Sequence, residues 1–174
     1  MSSCLVSFRV PGLLACSTTV VVLALIRVEP LPASAPLEAD EALDRTRMQV
    51  KMLDDLFKVA VVDITNRYDG PPAAKVVKSV FDAARANGYF VAKLLDATGS
   101  PMNEGNAPQD DFEKRAAQAM NDGQTYVEEI VSDGVSRRLR VATLVPAVVK
   151  KCASCHGAKV GDVLGFLSYD IPIR

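Results

Sequence analysis

Apolar and charged positions change period along the chain, and those periods divide it into elements. Val10 to Ile26 is apolar without interruption by charge. From Leu37 to about Tyr68 the spacing becomes helical: Leu43, Val50, Leu53, Phe57, Val61 and Ile64 recur three, four or seven apart among charged residues. This predicts one long amphipathic helix, broken at most once, stopping at Asp69-Gly70-Pro71-Pro72. A second helix is expected from about Pro72 to Asn87, with proline in its first turn and Asn87-Gly88 as its stop. Tyr89 to Asp96 is rich in β-formers and reads as a strand. The polar stretch from Thr98 to Asp111 ends in carboxylates that can cap a short helix running to about Asn121. Gln124–Ser132 and Val135–Val145 read as strands joined through Asp133-Gly134, the strongest short hairpin signal of the chain. A helical turn over Pro146–Lys151 and a last strand over Val163–Ile171 complete the series. Two helices followed by an antiparallel sheet, itself interrupted by a loop and a helix, define an α+β domain.

Composition changes this picture at the N-terminus and in the distribution of cysteine. Arg9, the apolar run and the small residues Ala33-Ser34-Ala35 have the order of a cleaved export signal over residues 1–35, with the mature chain starting near Pro36. The run of about 17 residues is also at the lower limit for a bilayer span, so an uncleaved N-terminal membrane anchor is the alternative. Leu13-Leu14-Ala15-Cys16 has the look of a lipoprotein box, but its position relative to Arg9 and the apolar run that follows it are wrong for one. Each reading takes the globular part, residues 36–174, out of the cytoplasm to a periplasmic or other extracytoplasmic location. A formal charge of −1 over 174 residues gives no footprint for nucleic acid.

Removal of the signal takes Cys4 and Cys16 with it. The remaining cysteines, Cys152 and Cys155, stand in Cys152-Ala153-Ser154-Cys155-His156, which also holds the single histidine of the chain. Cys-x-x-Cys-His is the attachment pattern of c-type haem. Two thiols three positions apart can form thioethers with the two vinyl groups of one haem, and the adjacent imidazole then meets the iron. A thioredoxin-like pair would be expected at the start of a helix after an early strand, whereas this motif lies near residue 152 of 174. A zinc site would need a fourth ligand, and the mature chain has no other Cys or His to supply it. With its histidine committed, the chain has no acid–base pair or activated nucleophile, and no enzyme activity is expected.

The late Cys-x-x-Cys-His, followed by Gly157, Gly161-Asp162-Val163-Leu164-Gly165 and a terminal strand, resembles the Tll0287-like haem domain. A second element carries the same resemblance: Asn103-Glu104-Gly105-Asn106-Ala107-Pro108 precedes Phe112-Glu113, where that family has an Asn-Pro-x-Asn-x-Pro loop before an aromatic–Glu pair. Glu104 departs from the family's proline, and one extra residue precedes Phe112. The resemblance spans approximately residues 40–171. It implies an exported domain with a PAS-like antiparallel sheet and one covalent haem c at Cys152 and Cys155, with His156 as an axial ligand. It also implies that the sixth ligand comes from the long first helix. There Met52 is the first choice and Met48 the second, four apart on one face; Met102, in the proline-containing loop, is a separate candidate, and Met120 reads as packing.

Two functions follow from these expectations. The first is a monohaem c-type cytochrome that transfers electrons to a redox partner protein or a membrane-bound complex. The second is a haem-based redox or gas sensor that, at this length, reports to a separate signalling partner. The sixth ligand decides between them: a His/Met pair closes the site and raises the potential, whereas an open position admits small gases.

Other residues fit more than one role. Lys150, Lys151, Arg138 and Arg140 could meet haem propionates or an acidic partner, or simply be solvated. Asp110, Asp111 and Glu113 read as helix capping rather than as a metal cluster. Tyr89, Phe90, Tyr126, Phe166 and Tyr169 are candidates for haem-pocket walls or for ordinary core, and Pro146 for fixing how the chain approaches the motif.

Overall fold

The strand that follows the haem-type motif in the chain lies in the middle of the sheet. In the computed structural model, which describes residues 35–67, 69, 70 and 72–174, the elements are α1 (Ala35–Arg67), α2 (Ala73–Ala86), β1 (Val91–Asp96), α3 (Asp111–Asn121), β2 (Tyr126–Ser132), β3 (Arg137–Pro146), α4 (Lys150–His156) and β4 (Val163–Pro172). A 3₁₀ turn, Glu104–Asn106, lies within the polar loop before α3. The four strands form one antiparallel sheet in the order β1-β4-β3-β2. The α+β architecture is therefore as the pattern predicts, and α1 runs without a break. The signal or anchor read over residues 1–35 lies outside the described residues, apart from Ala35, which opens α1. Among the described residues no helix is long and apolar enough to cross a membrane.

Helices cover both faces of the sheet, and this explains why β4 is apolar at successive positions. Leu167, Tyr169 and Ile171 pack with Leu43 and Val50 of α1 and with Val77 and Phe81 of α2. Phe166 packs on the other face with Phe112, Ala116 and Met120 of α3. The period of two thus persists in β4, but both sets of side chains are buried. Met120 is fully buried in that second cluster, as its reading as packing requires.

Polar groups tie the layers at defined points. On the α1 side, the Asp54 carboxylate accepts hydrogen bonds from Thr143 Oγ1 of β3 at 2.5 Å, Tyr169 OH of β4 at 3.2 Å and Lys58 Nζ at 2.8 Å. Burial, and then the adjacent Asp54 charge, push the Tyr169 hydroxyl well above the usual phenol range, so it stays a donor. On the α3 side, Asp110 is the N-cap and accepts from Glu113 N at 2.9 Å, while buried Glu113 reaches back to accept from Gln109 N at 2.8 Å. This is a variant of the capping box, and Lys93 Nζ of β1 supplies a further hydrogen bond to Glu113 at 2.6 Å. Arg140 lies 4.4 Å over the Phe112 ring and donates to Asp110 at 2.7 Å. Burial pushes the Asp110 carboxyl up, but hydrogen bonds from Arg140 and Glu113 N outweigh it and hold it below the usual carboxylate range. Glu113→Ala is expected to cost about 2 kcal/mol, because it strips Gln109 N of its acceptor and Lys93 of its counter-charge; the urea midpoint measures it.

A further tie joins α1 to β2: Arg47 donates to Glu128 at 2.5 Å, and Tyr126 OH donates to the same carboxylate at 2.6 Å. The Arg47 hydrogen bond is the main cause that lowers the Glu128 pKa, against the opposing effect of burial. A carboxylate whose folded pKa lies below its unfolded value stabilises the fold above the unfolded value, near 4.5, and loses that contribution as pH falls through the folded one. Thermal midpoints taken downwards from pH 5 should therefore fall more steeply in the parent protein than in Glu128→Gln.

One turn differs from its sequence expectation. The β2–β3 connection is a four-residue turn over 133–136, not a two-residue Asp-Gly turn, and β3 starts at Arg137 instead of Val135. Asp133 causes the difference: its Oδ1 accepts from Val135 N at 2.9 Å and Ser136 N at 2.7 Å, drawing both residues into the turn.

Candidate functional site

Three reactive side chains share one short helix. Expected as a turn ending at Lys151, this segment instead begins its helix at Lys150 and continues through the whole Cys-x-x-Cys-His motif. Positions i, i+3 and i+4 then bring Cys152, Cys155 and His156 to one face, while Ala153 is buried on the other. Both cysteines are free thiols, Cys152 half-buried and Cys155 exposed. Gly157 ends the helix in the left-handed conformation, φ 63°, and Ala158 N donates to Ala153 O at 2.9 Å. A glycine directly after the histidine is thus the residue that lets the chain turn away.

The β3–β4 connection holds α4 as a loop with a closed neck. Ala147 N donates to Asp162 O and Gly161 N donates to Ala147 O, both at 2.9 Å. Pro146, at an irregularity of the β3–β4 ladder, begins this neck. Gly165 lies in β4 opposite Asp96 and Val145, so close to β1 that a Cβ there would collide with the Leu95 carbonyl oxygen. The glycines at 161 and 165 therefore have separate geometric duties beside the motif.

The reactive face of α4 opens into a cavity of about 570 Å³ at the end of the sheet. Its walls are mostly aliphatic: Val61, Val62 and Ile64 of α1, Leu94 and Leu95 of β1, Val145 of β3, and Leu164 and Leu167 of β4. Pro72, Ala73 and Ala74 add the start of α2, and Pro101, Met102 and Asn106 add the loop before α3. That loop is fixed by its own chemistry: Asn103 Oδ1 accepts from Gly105 N at 2.9 Å, and Lys78 of α2 donates to Asn106 Oδ1. Two lysines also border the cavity. Lys58 is paired with Asp54 at 2.8 Å, and Lys151 with Asp69 at 2.8 Å; the latter bond lowers the Asp69 pKa.

Several expectations need correction against this geometry. Met48 and Met52 are exposed and do not line the cavity, because α1 turns Lys58, Val61, Val62, Ile64 and Thr65 towards it and carries the two methionines on its far side. Met102 is the methionine that the structure does bring to the cavity. None of the five aromatic candidates lines it either. Phe90, Phe166 and Tyr169 belong to the cores over the middle of the sheet, and Tyr89 and Tyr126 are exposed. Arg138 is paired with Asp170 at 2.6 Å and Arg140 with Asp110, both away from the cavity, and Lys150 is exposed at the start of α4. Lys58 and Thr65 escaped sequence reasoning. The available signal was the Asp54/Lys58 i, i+4 pair within an otherwise apolar stripe.

Fold and site together define an α+β domain with helices on both faces of an antiparallel sheet and a two-thiol, one-imidazole face opening onto an aliphatic cavity. The family model described as Tll0287-like matches residues 33–172, and the chain belongs to that family. Its fold is similar to the crystal structure of the cyanobacterial heme-protein Tll0287, with a TM-score of 0.50 and 17% identity over 77% of this chain and 96% of that one. No curated protein matches the chain.

Proposed function

We propose that this protein binds one haem covalently through Cys152 and Cys155, with His156 as an axial ligand, and acts outside the cytoplasm as an electron carrier. The observation that carries the reading is the joint presentation of both thiols and the imidazole on the α4 face that opens into the cavity. The residues fit a haem in three respects. The cavity volume is that of a cofactor site, its walls are apolar, and Lys58 and Lys151, paired with Asp54 and Asp69, place polar groups at its border where carboxylates would lie. The similar heme-protein fold supports the same assignment.

Bound haem supplies a reversible one-electron iron couple. The chain's contribution is to attach, orient and shield. Cys152 and Cys155 prevent dissociation, Gly157 and the Ala147–Gly161 neck orient His156, and the aliphatic walls exclude water. Exposed Cys155 and His156 keep one edge of the site near solvent, which suits electron exchange with a partner without a bound substrate.

Sensing is the second reading, and one observation favours it. The methionine at the cavity, Met102, belongs to an exposed loop and not to α1, so a ligand from this position would exchange more readily than one from a packed helix. The test is exported protein made with haem-attachment machinery, followed by intact mass and ferric, ferrous and ferrous–carbon monoxide spectra. A mass of chain plus one haem is expected. Met102→Ala should abolish any ferric methionine–sulfur charge-transfer band and speed carbon monoxide binding by about an order of magnitude. A purified protein with no covalently retained pigment would remove the haem assignment, and a rapid gas response in the parent protein would favour sensing.

A further inference from the structure

The outward face of α1 carries exposed apolar residues that the haem reading does not use. The inward face of this helix is accounted for, with Leu43, Val50, Leu53, Phe57 and Val61 against the sheet and α2. At about 100° per residue, Met48, Met52, Leu56 and Val59 lie within about 40° of a single line on the opposite face. They are 68%, 54%, 60% and 68% exposed. A large apolar stripe of this kind on a charged helix marks an interaction surface rather than scattered exposed residues. The stripe is bounded by ion pairs that run in the same order, acid before base: Glu41 then Arg45 before it, at 3.7 Å, and Asp63 then Arg67 after it, at 2.5 Å.

That order specifies the occupant. If a second copy of α1 is laid antiparallel on the first, with Met52 beside the second copy's Leu56, then Arg45 falls opposite the second copy's Asp63 and Glu41 opposite its Arg67. The two-fold axis repeats every contact, so the apolar centre is closed at both ends by opposite charges. A parallel arrangement would instead oppose Glu41 to Glu41 and Arg45 to Arg45, as well as Asp63 to Asp63. We propose that the protein self-associates through the Met48–Val59 stripe as an antiparallel α1–α1 dimer. The four apolar residues form a contact smaller than the ~800 Å² per partner of stable complexes, so the dimer is reversible and concentration-dependent rather than obligate. Two methionines in the stripe suit such a contact, because their flexible side chains adapt to a partner at small cost.

Sedimentation velocity of the full chain over a concentration series tests this. The parent protein should shift from monomer to dimer as concentration rises, and Leu56→Arg should remain monomeric over the same range. Register and direction are tested by charge exchange. Arg45→Asp and Asp63→Arg should each lower self-association about tenfold, because each opposes like charges across the axis. An equimolar mixture of the two variants should dimerise again, since their charges are then complementary. All substituted positions are exposed, and unchanged circular dichroism melts will confirm that the fold is retained. A parent protein that stays monomeric, as it would if another segment covered the stripe, overturns the proposal. So does a dimer insensitive to Leu56→Arg, or a mixture that fails to re-form.

Discussion

Cys152→Ser/Cys155→Ser is expected to fold and to lose covalently bound haem completely. Serine preserves the size of each side chain but forms no thioether. Neither thiol belongs to either core cluster, so the α4 helix and its neck do not depend on them. The measurement is intact mass after denaturation, together with pigment retained through acid–acetone extraction. The parent protein should keep its haem and the double variant should release all of it. Each single variant should retain a single attachment. Thermal stability provides a second readout. A ligand that binds only the folded state adds stability by mass action, so the double variant should melt lower than the parent and closer to haem-free protein. Retention of pigment by the double variant would sink the assignment of these thiols, whatever its spectrum.

The second large effect is expected from Gly165→Ala, a change of one methyl group. The new Cβ would meet the backbone carbonyl of Leu95, which cannot rotate away as a side-chain end can. β1 and β4 must therefore separate where Leu95 pairs with Phe166 and Asp96 with Gly165. Overpacking in a fixed environment costs on the order of 3 kcal/mol, and here the shift also moves two cavity walls, Leu94 and Leu95. Both a lower urea midpoint and a lower yield of pigmented protein are expected. The comparison with Gly123→Ala is informative. Gly123 has open space around the corresponding Cβ and a φ of 90°, so its substitution should cost backbone strain without touching the cavity.

The elements were legible in the sequence because each has a local cause. The period of α1, the Asn87-Gly88 stop of α2 and the Asp110 cap of α3 are properties of neighbouring residues, and the structure reproduces them. The resemblance drawn from the Cys-x-x-Cys-His and Asn103–Pro108 segments also agrees with the family shown over residues 33–172. The order β1-β4-β3-β2 was not legible, since no local residue states which strand enters the middle of a sheet. The cavity failed to emerge for the same reason. Its walls come from α1, α2, three strands and a loop, and a helix such as α1 has two apolar faces of which one alone meets it. Met52 repeats with Met48 at helical spacing on the helix to which the resemblance assigns the sixth ligand, but spacing does not say which side of the helix is inward. Aromatic residues misled similarly: the cavity is at the end of the sheet, where the lining is aliphatic, while Phe90, Phe166 and Tyr169 fill its middle.

The position of β4 also sets an order of events for a chain that emerges N-terminus first. Residues 152–156 leave the ribosome or a translocation channel before residues 163–172, and until those residues arrive β1 and β3 have no strand to join them. The two thiols are consequently displayed on a half-built domain before the longest-range strand pairing, Val91 with Asp170, can close it. Haem attachment as proposed would thus be separated in time from completion of the sheet by the topology itself, with attachment given the earlier opportunity.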